Sequence, residues 1–105
     1  MQLAEVFKAL GEPVRLRLFA LLADQAEICV CHLTDALQLP QSTVSRHLGV
    51  LRHAGLATTR RDGKWMHYQL AGDIPSELRL LLQNAHDTQA QLSADLQRLN
   101  SSRNC

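Results

Sequence analysis

Two thiols separated by one residue, Cys29 and Cys31 in the stretch EICVCHLTDAL, are the side chains of this 105-residue chain best suited to chemistry. Thiolates are soft donors, and they favour thiophilic centres over magnesium, calcium or manganese. On a regular helix, residues two apart point roughly 200° apart around the axis. Both sulfurs therefore belong to the core, or grip one ion, only if the backbone leaves helical geometry. His32 adjoins the pair, where it either tunes thiol acidity or is simply solvated. A third thiol, Cys105, lies in the polar stretch NSSRNC. Three cysteines without a leader-like segment predict reduced thiols rather than a disulfide framework. A redox couple is the competing chemistry, but one intervening residue closes only a strained ring. No nucleophile, base and orienting residue fall at a recognisable spacing, so the chain is not expected to be an enzyme.

A second constellation is basic. Residues 41 to 68 carry Arg46, Arg52, Arg60, Arg61 and Lys64 against Asp62 alone, a net of +4 in a chain whose total is +1, which leaves −3 for the rest. That asymmetry marks one face for a polyanion. In QSTVSRHLGVLRHAGL the apolar positions Val44, Leu48 and Leu51 share a helix face, leaving Gln41, Ser42, Thr43, Ser45, Arg46 and His47 near the exposed N-terminal end. Helices that read DNA insert that end into the major groove. Arginine there suits guanine, glutamine suits adenine, and hydroxyls suit bases or phosphates. Arg60, Arg61 and Lys64 cluster in the next segment, where cations can lie along phosphates or enter the minor groove.

Several elements must position these groups. Leu3, Val6, Phe7 and Leu10 predict a short first helix punctuated by Gly11 and Pro13. Pro13 opens a second helix, with Val14, Leu18, Leu21 and Leu22 inward and Arg15 and Arg17 solvated. VCHLTDALQL reads as a third, with Leu33, Ala36 and Leu37 inward, ending before Pro40. The fourth is capped by Gln41 or Ser42 and ends at Gly55, which completes a helix-turn-helix. ATTRRDGKWMHYQLAG then predicts a β-hairpin turning at Asp62-Gly63, with one of the alternating sets Trp65/His67 and Met66/Tyr68 anchored on the core. From Ile74 to Leu99 the pattern is helical, interrupted only near His86 to Gln91, with Gln83, Asp87, Asp95 and Arg98 on the polar face. The fold class is mainly α with a β-hairpin, a winged helix-turn-helix: one domain over residues 1–99 and a flexible tail over 100–105.

Composition narrows the classes further. An apolar share of 46% is that of a globular chain rather than a disordered one. The chain has no run of about 18 apolar residues, and MQLAEVFKALGEP is an acidic, helix-patterned start unlike a leader. A soluble, cytoplasmic protein with no membrane partner is expected. So short a chain buries a thin core, and a long apolar last helix needs a partner, so oligomerisation is expected too.

Four blocks in order, VFKALGEPVRLRLFALL, EICVCHLTDAL, QSTVSRHLGVLRHAGL and RRDGKWMHYQL, resemble the ArsR/SmtB family of winged-helix metalloregulators over about Val6 to Ile74. The resemblance implies a homodimeric repressor of a palindromic operator, dimerising through its first and last helices and released by an inducer. The apolar positions such a dimer would use are Leu3, Val6, Phe7, Leu78, Leu82, Ala85, Leu92 and Leu96. The CVC block is similar to the arsenic-responsive branch, which implies trivalent arsenic or antimony as inducer, no permanent cofactor, and Cys29 and Cys31 as ligands. That branch often carries a third cysteine where this chain has Thr34, so the third sulfur falls to Cys105 or to a small-molecule thiol. Cadmium and lead sensors of the family add cysteines from the N-terminal segment, and residues 1–28 contain none. Zinc and nickel sensors pair acids and histidines on the last helix. Here His86 stands without such partners, with Gln97 and Asn100 in that region.

Overall fold

The structure is a computed structural model describing residues Gln2 to Ser102. Six helices enclose the core, and a three-stranded antiparallel sheet closes one side. Helix α1 spans Leu3–Leu10 and buries only Val6 and Ala9. Pro13 occupies the first turn of α2 (Pro13–Asp24), whose start is capped by the Glu12 carboxylate accepting from the Arg15 amide at 2.9 Å. The uninterrupted run Leu18–Leu22 is buried, which a helix tolerates only when other elements surround it.

Helix α3 (Val30–Leu37) stops at Gln38, whose φ of 57° puts it in the left-handed region, two residues before Pro40. Helix α4 (Gln41–His53) follows at once. Its residue before the first turn is Pro40, and neither Gln41 nor Ser42 caps it, contrary to expectation. Val44, Leu48 and Leu51 of α4 are buried as the spacing predicts. Gly55, at φ 81°, then swings the chain into the hairpin.

The hairpin consists of β2 (Ala57–Asp62) and β3 (Trp65–Leu70), with Asp62 opposite Trp65. The two loop residues are Gly63 and Lys64, one place later than the expected Asp62-Gly63, because Asp62 is already a paired strand residue. Gly63 at φ 62° takes the first loop position, where a type II′ turn wants glycine. Of the alternating sets, Tyr68 is buried in the core, and Trp65 and Met66 pack against it partly buried, so both sets contribute. A third strand that periodicity does not announce, β1 (Ile28–Cys29), pairs with β3 as Ile28 to Tyr68 and Cys29 to His67.

The C-terminal segment forms two helices rather than one, α5 (Ser76–Asn84) and α6 (His86–Asn100), because Ala85 is extended (φ −93°, ψ 106°). The break lets α6 fold back onto α2 and α3. Asp95, expected on a polar surface, is fully buried there. It accepts from Arg17 Nε (3.1 Å) and Nη2 (2.9 Å), from Gln91 Nε2 (3.0 Å) and from Arg98 Nη2. Arg17 is therefore not solvated, and the fold-back of α6 is what captures it. The same two arginines donate to the last carbonyls of α3, Arg98 to Ala36 (2.6 Å) and Arg17 to Leu37 (3.3 Å). Asn100 is still helical, and the Ser102 hydroxyl donates to Asp35 at 2.7 Å. Among the described residues no helix is long and apolar enough to cross a membrane.

Candidate functional site

Cys29 precedes α3 with extended backbone (φ −68°, ψ 143°), whereas Cys31 lies in the first helical turn. This change of geometry between them cancels the divergence a continuous helix would impose. The two Sγ atoms stand 3.1 Å apart, and both residues are buried, at 7% and 6% exposure. Both sulfurs are core because the backbone leaves the helix at Cys29, the condition their spacing sets; Cys31 is disulfide-bonded here, against the expected reduced state. Two thiolates at about 2.3 Å from one ion stand roughly 3.3 to 3.8 Å apart for angles between a right angle and the tetrahedral value. The observed spacing is within a few tenths of an ångström of the narrow end. The donor set, two soft sulfurs with apolar Ile28, Val30 and Leu33 buried around them, fits a thiophilic ion and not a hard one.

Thr34, where a third sulfur would stand, turns its hydroxyl back to the Val30 carbonyl at 2.9 Å. Among the described residues, no three His, Cys, Asp or Glu side chains converge as a metal cluster. Cys105 lies outside the described residues. His32 is half-buried, and His86 is exposed at the start of α6.

The thiol strand is joined to the hairpin in two ways. Cys29 is laddered to His67 of β3, and Glu27, two residues earlier, takes the Arg60 guanidinium of β2 on both carboxylate oxygens. The distances are 2.7 Å from Nη2 and 3.3 Å from Nε, and His67 Nδ1 is 3.9 Å away. The bidentate Arg60 bond, with the positive charge behind it, holds the Glu27 carboxyl below the ordinary glutamate value. Reciprocally, Glu27 raises the Arg60 guanidinium. Arg60 sits opposite His67, well back from the turn, so it is not at the hairpin tip with Lys64. The Lys64 ammonium lies 5.2 Å from the Trp65 ring centre, and Arg61 is exposed opposite Met66.

On α4, Gln41, Ser42 and Arg46 are exposed, and Thr43 and Ser45 are half-buried. His47 departs from the predicted reading face. Its side chain is 13% exposed, with Nδ1 3.2 Å from Arg15 Nη1 and 3.7 Å from the Glu12 carboxylate. Arg15, expected to be solvated, also donates to the Ala9 carbonyl at 2.6 Å. Together they tie α4 to the α1–α2 junction. Arg46 instead faces an open cleft shared with Lys8 and His53, a basic surface that the linear spacing of these residues does not reveal.

The apolar positions assigned to a dimer face divide. Val6, Leu78 and Leu82 belong to the protomer's own core, and Ala85, Leu92 and Leu96 are half-buried. Leu3 (61%) and Phe7 (54%) are exposed, and so are Leu80 (54%) and Leu81 (61%) of α5. Phe7, Leu81 and Ala85 line one apolar groove with Leu10, Leu16 and Phe19.

The model for "Bacterial regulatory protein, arsR family" matches residues 12–59. The arsenic resistance transcriptional regulator ArsR1 of Pseudomonas putida is 43% identical over 95 residues, covering 90% of this chain and 74% of that protein. The arsenical resistance operon repressor of Escherichia coli is 44% identical over 72 residues, covering 69% and 62%. Among solved structures, the homodimeric winged helix-turn-helix DNA-binding domain Mb0332 from Mycobacterium bovis superposes with a TM-score of 0.70 at 32% identity, covering 85% of this chain and 82% of that one.

Proposed function

Since the chain belongs to the arsR family of bacterial regulatory proteins, and is a winged-helix transcriptional repressor rather than an enzyme, we propose that it acts as a homodimer on a palindromic operator and is released by trivalent arsenic or antimony at Cys29 and Cys31. The observation that carries this reading is the buried pair of sulfurs 3.1 Å apart at the start of α3. The names of the arsenic-resistance relatives support the choice of inducer.

In this reading Gln41, Ser42, Thr43, Ser45 and Arg46 face the major groove, and Arg61 and Lys64 hold phosphates beside it. Exposed Leu3, Phe7, Leu80 and Leu81 supply the partner face. A bound metalloid supplies soft Lewis acidity that fixes the two sulfurs, with Cys105 or a small-molecule thiol as the third donor. The chain does the rest. Any movement of Cys29 passes along its ladder to β3, and any movement of the α3 first turn passes through that helix to the Gln38 turn and α4.

Fluorescence anisotropy on a fragment from upstream of its own gene tests this, with arsenite, antimonite, cadmium and peroxide added separately. Wild type is expected to leave the DNA with arsenite or antimonite. Cys29→Ser/Cys31→Ser should bind DNA and ignore both, and Cys105→Ser should need more arsenite. Release by cadmium alone, by peroxide alone, or by nothing overturns the inducer assignment. Loss of DNA binding by the folded, unliganded double variant overturns the division of labour.

A further inference from the structure

Arg60 counts as a DNA cation in the sequence, yet in the folded protein its charge is already taken. Two of its three guanidinium nitrogens, Nη2 and Nε, lie on Glu27 at 2.7 and 3.3 Å, although the side chain remains half exposed at 55%. A bidentate arginine–carboxylate pair is oriented as well as neutralised, so a phosphate must compete with Glu27 for this guanidinium. Arg61 and Lys64 have no ion pair among the described residues. Glu27 is also two residues from Cys29, on the segment that ladders to β3. The carboxylate is therefore set between the thiol pair and the wing.

We propose that Glu27 is a positioning residue that competes with DNA phosphate for Arg60 and so sets how many cations the wing offers to the backbone. With Glu27 in place the wing presents Arg61 and Lys64. When Glu27 lets go, it presents three cations. Because Glu27 lies on the short segment that ladders to β3, whatever holds that segment against the hairpin also holds Arg60 off phosphate. The proposal rests on the DNA-binding reading above but not on the identity of the inducer.

The test is a double-mutant cycle, wild type, Glu27→Gln, Arg60→Gln and both together, read as the dependence of log Kd on log salt without any inducer. The duplexes are the upstream fragment and a scrambled control. Each phosphate neutralised contributes about 0.9 to that slope. Glu27→Gln is expected to bind both duplexes more tightly, with a slope steeper by about 0.9. Arg60→Gln should leave the slope of wild type unchanged. Glu27→Gln should have no further effect in the Arg60→Gln background. A gain that persists without Arg60 means Glu27 acts only by repelling DNA, and the proposal fails. It fails equally if Arg60→Gln alone flattens the slope by about 0.9, since Arg60 would then already be on phosphate. Release of wild type by arsenite is scored in a separate titration, so loss of the inducer reading leaves this result standing.

Discussion

A carboxylate with no solvent exposure is tolerated only when donors replace its water, and Asp95 has Arg17, Arg98 and Gln91. Each arginine spends its remaining reach on α3, at Ala36 and Leu37. Asp95 thus fixes the end of the helix that begins at the thiols. Removing one partner of a buried ion network costs about 3 to 5 kcal/mol, and the partial exposure of both arginines favours the low end of that range. Asp95→Asn is expected to lower the unfolding free energy by about 3 kcal/mol in urea titrations. A loss under about 1 kcal/mol would show that the two arginines find water as readily as they find Asp95. Nothing in the linear pattern marks this residue, because its position on a polar helical stripe looks the same whether the stripe faces solvent or two arginines from elsewhere.

At the scale of elements, β1 joins the thiol segment to the wing, and the Glu27–Arg60 pair fastens the same joint. Its pH dependence has a definite sign. A carboxyl held below its ordinary value stabilises the fold above that ordinary value, and the contribution is lost as pH falls through the depressed folded one. By NMR titration the Glu27 carboxyl should protonate below the ordinary glutamate range in wild type and return to that range in Arg60→Gln; no movement in Arg60→Gln would separate the two residues. The helix boundaries around Gly11, Pro13, Pro40 and Gly55 were legible because proline and glycine act through local backbone sterics. Strand β1 was not, since two residues carry no periodicity and exist only through their pairing with β3. The extended backbone at Cys29 follows from that pairing, which is why spacing alone predicts diverging sulfurs.

At the scale of the molecule, the winged helix-turn-helix and its basic face follow from the order of apolar spacings and from where the cations fall. Periodicity alone predicts one long last helix, because the kink at Ala85, which folds α6 back on α2 and α3, is a tertiary choice. Val6, Leu78 and Leu82 are buried within the protomer, and Leu3, Phe7, Leu80 and Leu81 face outward. In the function proposed above the buried sulfur pair is coupled to DNA, and coupling between two ligands is reciprocal. The most direct measurement is arsenite affinity by calorimetry, on the free protein and on the protein saturated with its operator fragment. Arsenite is expected to bind the complex more weakly, by the same factor with which arsenite weakens operator binding. Equal arsenite affinity with and without DNA would contradict it.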